Sequence, residues 1–386
     1  MGAAAPVATA VLAFDPAHDR LARGARLSGG LSAAAAVDGT LFLAHDETVA
    51  IEALRRMPSR GRALRYAGHR RFDLRTFFAL PARAAQGTGD EPPEADLEAL
   101  AFADGYLWVA GSHSAQRDEA EGRSAAEAID ALSRVRRVGN RYLLGRIPVA
   151  TANVDGPTLV RRAPGPKGAM LTAARLPGGR KNDVLTRALR DDPHLGPFMA
   201  LPTKDNGFDI EGLAAATGGR LFVGLRGPVI DGWACILELC VGVDARRPER
   251  LVLKSVGEPR AATGERGPRY RKHFLDLGGG GVRDLCFIGR HLLVLSGPPL
   301  RGKGTAAIRL WRNALSSRAP QLLQDERLPT LLELPYRAKK NHPEAIAVLG
   351  AEGRRVRVIV VCDSADDARR VPPAGLRADI HDLLLP

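Results

Sequence analysis

The sequence predicts an all-β fold, a β-propeller of five or six four-stranded blades, on three observations. A short apolar segment, a turn and a stronger apolar run recur five times. Further strand candidates follow several of these pairs, giving four antiparallel strands per unit. The chain of 386 residues also carries 42 Gly and 27 Pro, which favours many turns over long helices.

The elements follow in order. Ser32 to Glu47 reads SAAAAVDGTLFLAHDE, with Asp38-Gly39 at its turn, and is a hairpin. Leu97 to Ser114 and Ile210 to Gly227 repeat it, and Arg283 to Gly297 and Pro343 to Ser364 are weaker copies. Third strands are expected at Thr48 to Leu54, Tyr142 to Val149, Ala234 to Val241 and Ala306 to Arg312. Lead-in strands are expected at Phe77 to Pro81, Phe198 to Pro202, Phe274 to Gly278 and Leu331 to Pro335. The Ala-rich first strands suit an inner ring, where blades converge and side chains must be small. Counted from Ala34, Glu98, Glu211, Asp284 and Glu344, the steps are 64, 113, 73 and 60 residues. The long step carries an insertion or hides a sixth blade at about residues 150–195, with a helix at Lys181 to Arg190. Val7 to Phe14 is expected to return and complete the last blade, so that N- and C-terminal strands close the ring together. Residues 1–386 are read as a single propeller domain.

Composition excludes several classes. Hydrophobic residues at 45% and charged residues at 26% are the balance of a globular chain. No apolar run reaches the roughly 20 residues that span a bilayer, and the N-terminus lacks the basic start of a signal peptide. No membrane partner is therefore expected. Cys235, Cys240, Cys286 and Cys362 show no metal-ligand spacing and sit in apolar runs. They read as buried reduced thiols, which points to the cytoplasm. The net charge of +13 comes from 48 Arg and only 8 Lys, as a coding bias gives. Arg55 to Arg75 holds eight arginines, Arg60, Arg62 and Arg65 among them, and reads as a solvated face rather than a nucleic-acid surface. Gly297 to Thr305 nearly matches a phosphate-binding loop, but Gly304 stands between Lys303 and Thr305 and two prolines remove amide donors. Ser112, His113 and Ser114 are sequence neighbours, which does not make a dyad.

The informative residues recur at the start of the first strand of each unit. They are Asp96 and Glu98, Asp209 and Glu211, Asp284, and Glu344. The loop entering the innermost strand and the loop leaving the second strand open on one face of a propeller. His45, Asp46, Glu47, His113, Arg226 and Asp363 therefore join them at a central mouth. Hard cations take six to eight oxygen ligands, and inward carboxylates repel one another unless a cation neutralises them. Glu98, Asp209, Glu211, Glu344 and Asp363 are thus candidate ligands of a Ca²⁺ ion, and Glu98, Glu211 and Glu344 are candidate catalytic carboxylates. Arg226 and Arg283, with Lys204, Lys340 and His113, are candidates to bind a small anionic ligand. Internal ion pairs between blades are the alternative use of the same charges.

The DIEGL of Asp209 to Leu213, the DLEAL of Asp96 to Leu100 and the GSHS of Gly111 to Ser114 resemble a bacterial family of unknown function, itself similar to the phytase-like esterase propellers. More distantly the chain resembles gluconolactonase-type calcium propellers, in which a Glu-Gly pair opens an inner strand. The similarity covers most of Leu27 to Ser364. It implies metal-facing or catalytic roles for Glu98, Glu211 and Glu344. Ser32 and Ala33 depart from the pattern in the first unit, as does Arg283 before Asp284 in the fourth. The expected function is a metal-dependent hydrolase, with calcium as the ion, acting on a small phosphorylated or ester substrate at the mouth. The alternative is a non-catalytic propeller that binds a protein or an anionic ligand on the same face.

Overall fold

The computed structural model describes residues 5–21, 24–59, 63–82, 94–151, 155–257, 267–299, 305–336 and 340–386. The fold is all-β and propeller-like. β1 (Ala8–Ala13) is followed by a first meander of β2 (Ala33–Val37), β3 (Thr40–Ala44), β4 (Ala50–Met57) and β5 (Leu64–Asp73). The second unit is β6 (Leu97–Ala103), β7 (Tyr106–Gly111), β8 (Leu144–Ala150) and β9 (Ala174–Arg175). The third is β10 (Asp209–Ala216), β11 (Arg220–Gly227) and the long β12 (Trp233–Asp244), whose two halves pair with β13 (Arg247–Lys254) and β14 (Tyr270–Asp276). The fourth is β15 (Gly281–Ile288), β16 (His291–Gly297), β17 (Ala306–Trp311) and β18 (Thr330–Leu334). The fifth is β19 (His342–Glu352), β20 (Arg355–Asp363) and β21 (Gly375–Leu384), completed by β1 in antiparallel pairing with β21. The expected return of the N-terminal strand is therefore present.

The five innermost strands touch in a closed cycle: β2 with β6, β6 with β10, β10 with β15, β15 with β19, and β19 with β2. The packing follows the same cycle. Strand faces alternate along the chain, so Ala33, Ala35 and Val37 enter one core with the second unit while Ala34 and Ala36 enter another with the fifth. Three further cores lie between the second and third, third and fourth, and fourth and fifth units. Alanine at these positions lets neighbouring inner strands approach closely. The tight β2–β3 and β6–β7 hairpins turn at Asp38-Gly39 and Asp104-Gly105, all four residues at positive φ.

Among the described residues, no inner strand lies between β8 and β10. Residues 150–195 form an insertion with a short hairpin (Arg162–Pro164 with Met170–Thr172), the outer strand β9 and a helix at Val184–Leu189. Phe77 to Pro81 and Phe198 to Pro202 are not strands. Phe77, Phe78 and Leu80 instead fill the core between the first two units, and Pro197 starts a 3-10 turn at Gly196–Phe198. Helix also occurs outside Lys181 to Arg190: after a first turn, α1 (Pro16–Asp19), α2 (Ala125–Ser133) forms before α3 (Val184–Leu189). Ser124 and Glu127 close a reciprocal capping box on α2. Arg60, Arg62 and most of Gly297 to Thr305 lie outside the described residues.

Candidate active site at the ring mouth

One irregularity recurs at the top of the inner strands. In β6 the register steps from Leu97 to Ala99, in β10 from Ile210 to Gly212, in β15 from Val282 to Asp284, and in β19 from Pro343 to Ala345. The residues left over are Glu98, Glu211, Arg283 and Glu344. A bulge frees one residue from the ladder and re-aims its side chain, so four of five units each present a charged group at the same level. In the first unit that place belongs to Ser32, whose hydroxyl donates to the Leu97 carbonyl at 2.5 Å.

The charges join into an arc. Arg226, from the end of β11, pairs with Asp209 at 2.5 Å and with Glu211 at 2.6 Å. Arg283 pairs with Glu211 at 3.0 Å and with Glu344 at 2.8 Å, and donates to the Pro298 carbonyl at 2.6 Å. On the second unit Arg141 pairs with Asp96 at 2.8 Å and Glu94 at 2.6 Å, and donates to Ser114 Oγ at 2.9 Å. Glu98 stands between the two sets, and no ion pair or hydrogen bond to it occurs among the described residues. Arg226 keeps 22% of its side chain exposed.

Burial sets the protonation of this cluster. It pushes Asp96 up to about 6 against the pull of Arg141, and Asp209 up to about 7 against Arg226. Glu344 rises to about 8, since burial outweighs Arg283. Glu98 is driven well above the carboxylate range by burial and then by the charges of Asp96 and Glu211. Burial opposes the Arg226 charge, but Asp209, Glu211 and Glu98 outweigh it and hold the guanidinium ionised.

The structure sorts the remaining candidates. Asp284 is buried below the mouth, where its carboxylate accepts the Leu285 amide at 2.7 Å and the Ile346 amide at 2.8 Å. It staples β15 to β19 rather than facing a ligand. His113 is fully buried, with Nδ1 facing the Gly111 carbonyl at 2.9 Å and Nε2 facing Asp183 at 3.1 Å. Both ring nitrogens therefore face acceptors, and the imidazole cannot serve Ser112 or Ser114 as a base. Asp183 also caps α3, so the pair ties the insertion to the mouth. Lys204 lies on the exposed surface, paired with Glu119 at 2.8 Å, and Lys340 is exposed. Asp363 accepts from Ser364 Oγ at 2.8 Å, and His45 pairs with Asp46 at 2.9 Å. Arg141, Glu94 and Asp183 belong to the site and were missed: one more Arg among 48 carries no sequence signal, and Asp183 comes from the insertion.

The carboxylates are hard oxygen donors of the kind calcium takes, yet they do not fit a resident ion. Asp209, Glu211 and Glu344 are occupied by guanidinium groups, which stand where an ion's charge would act. Among the described residues no set of three or more His, Cys, Asp or Glu side chains is arranged to hold a metal. Of the expected ligands, Asp209, Glu211 and Glu344 lie in carboxyl–guanidinium pairs, whereas Glu98 and Asp363 do not. All four cysteines are free, and among the described residues no helix is long and apolar enough to cross a membrane.

Likenesses to solved structures are slight. Pseudomonas fluorescens PhoX, solved in complex with vanadate, is 10% identical over 77% of this chain, with a TM-score of 0.29; the chain spans 55% of the PhoX chain. A protein described as an oxidoreductase (glucose dehydrogenase) from Thermus thermophilus is 17% identical over 91% of this chain and 96% of its own, with a TM-score of 0.31. No curated protein matches. Residues 30–379 match the profile of one family, from β2 through most of β21, and the chain belongs to it: the protein family of unknown function DUF3616.

Proposed function

We propose that this chain is a five-bladed propeller whose mouth is a hydrolase-type site for a small phosphorylated or ester substrate. The reading rests on one observation: Glu98, alone among the bulged carboxyls, has no guanidinium partner among the described residues, and its proton is retained by burial. A carboxyl that stays neutral beside one that is ionised is the arrangement that supports acid–base catalysis. Glu98 donates its proton to the leaving oxygen as that bond breaks. Asp96, held lower by Arg141, takes the proton of the water whose oxygen bonds to phosphorus or acyl carbon. Arg226 faces the oxyanion.

The test is turnover of an alkyl phosphate such as glycerol phosphate, read as released phosphate, and of short alkyl esters, whose alkoxide leaving groups need a proton, by wild type and Glu98→Gln, each in EDTA and in calcium. Loss of a general acid lowers turnover by about 10²-fold or more. The wild-type rate should fall below about pH 6, where Asp96 protonates. Equal rates in the two proteins would remove Glu98 from the chemistry. A rate that appears only with calcium would restore the metal-dependent reading. The second reading, a non-catalytic binder of an anionic ligand or a protein, is favoured by the locking of Asp209, Glu211 and Glu344 into fixed pairs. It predicts ligand binding that Arg226→Met abolishes, with no turnover by either protein.

A further inference from the structure

Below the charged level the ring encloses a cavity of about 150 Å³. Its lining comes from all five inner strands: Ala34 to Ala36, Leu100 to Phe102, Ala214 and Ala215, Leu285 to Phe287, and Ile346 to Val348. Every one of these side chains is apolar, which suggests a dry space. An apolar cavity of about this size does stay dry when apolar side chains make its walls.

The spacing of the lining residues says otherwise. Successive residues of one strand line the cavity, whereas a strand face presents only every second residue. The wall is therefore strand edge, not strand face. The cores confirm it, since Ala34 and Ala36 pack toward the fifth unit while Ala35 packs toward the second. Each inner strand is also the terminal strand of its sheet, with a ladder on one side. Its other edge turns backbone N–H and C=O groups to the axis. Asp284 satisfies two of these amides at the upper end. Below it, the groups lining the cavity have no strand to pair with among the described residues, and buried backbone groups are rarely left unpaired.

We propose that this cavity is a water chamber, and that it supplies the mouth with the water consumed in hydrolysis. At about 30 Å³ per molecule it holds about five waters. Its upper end lies at Leu100, two residues below Glu98. Exposure rises away from the mouth, from 3% at Leu100 to 38% at Phe102, so the chamber opens on the opposite face. Water thus enters at one end of the axis and substrate at the other. The supply role rests on the hydrolase reading, whereas occupancy by water does not.

Water ¹⁷O magnetic relaxation dispersion on the intact protein counts long-lived internal waters, and a high-resolution crystal structure places them. About five waters on the inner edges are expected. Ala36→Phe and Val348→Trp, both at the half-buried lower rim, should slow their exchange and lower kcat with KM unchanged. A dry cavity in the wild type overturns the proposal outright. Slowed exchange with kcat unchanged overturns the supply role. If Glu98→Gln leaves turnover intact, the hydrolase reading fails while the water count still decides the chamber. Two rim variants are used so that misfolding of one leaves the other to report.

Discussion

Replacing Arg283 by Met tests whether guanidinium groups hold the mouth together. Arg283 is 8% exposed at its side chain and bridges Glu211, Glu344 and the Pro298 carbonyl. Arg226 still pairs with Glu211 in the variant, so the carboxyl left without a cation is Glu344. At pH 6 Glu344 is protonated in both folded proteins, because burial holds it near 8 even with Arg283 present. The loss there is that of hydrogen bonds to charged or buried groups, about 2 kcal/mol. At pH 9 the wild type carries an ionised, paired Glu344. The variant must bury that charge alone or keep its proton, and the deficit grows toward the roughly 3–5 kcal/mol of a broken buried pair. For a chain of this length the entropy of unfolding is about 0.8 kcal/mol per kelvin if unfolding is two-state. The deficit then reads as about 3 °C at pH 6 and about 5 °C at pH 9. Urea unfolding and thermal melts at both pH values are the assay. A deficit that stays flat or shrinks between pH 6 and pH 9 would refute the reasoning.

Wild-type stability should fall as pH rises from about 4 to about 8. Asp96, Asp209 and Glu344 have folded values near 6, 7 and 8, above those of the unfolded chain; their contribution is complete below the unfolded value and is lost on crossing the folded one. A stability that climbs through this window contradicts the burial of these groups. Leu12→Ala, in the strand that closes the fifth unit, removes a fully buried side chain and should cost about 2–5 kcal/mol by urea unfolding; a loss under about 1 kcal/mol would show that β1 does not hold the ring shut. His113→Gln leaves Asp183 buried without its cation, so amide exchange at Val184–Leu189 should speed up while exchange in β17 stays unchanged. That effect weakens with rising pH, because the His113 value is raised by Asp183 despite burial and the wild-type pair itself is lost above it.

How much of this was legible follows from the range of each signal. The hairpins were readable because turn chemistry is local: Asp38-Gly39 and Asp104-Gly105 announce themselves in two residues. The capping box of α2, Ser124 with Glu127, was equally local and was overlooked in favour of the strand pattern around it. The aromatic lead-ins misled for a physical reason. Phe77, Phe78 and Leu80 are apolar because they fill the gap between two units, and burial alone does not separate strand from packed loop. Among site residues, Glu98, Glu211 and Glu344 were found by recurrence, and the structure brings them to one level. Their partners were not legible. Arg226 and Arg283 were read as ligand-binding groups, and their ion pairs with Asp209, Glu211 and Glu344 are long-range facts that no spacing in the sequence carries.

The choice of Arg at the fourth bulge, where three other units present Glu, follows from the geometry of a closed ring. Each bulged side chain has two neighbours at its own level, and the level is largely buried. Acids at all four places would leave Glu211 and Glu344 facing an unpaired carboxyl between them, and like charges so placed cannot all ionise. A guanidinium there serves both neighbours at once, since its planar donor set can hold more than one acceptor. The arc Asp209–Arg226–Glu211–Arg283–Glu344 therefore alternates carboxyl and guanidinium along its whole length. The alternation stops at the second unit, where Arg141 pairs with Asp96 and Glu94 and, among the described residues, Glu98 stays outside every pair. Departure from strict repetition is what separates one carboxyl from the others: the paired carboxyls tie neighbouring units together, and Glu98 is the one that the proposed chemistry uses.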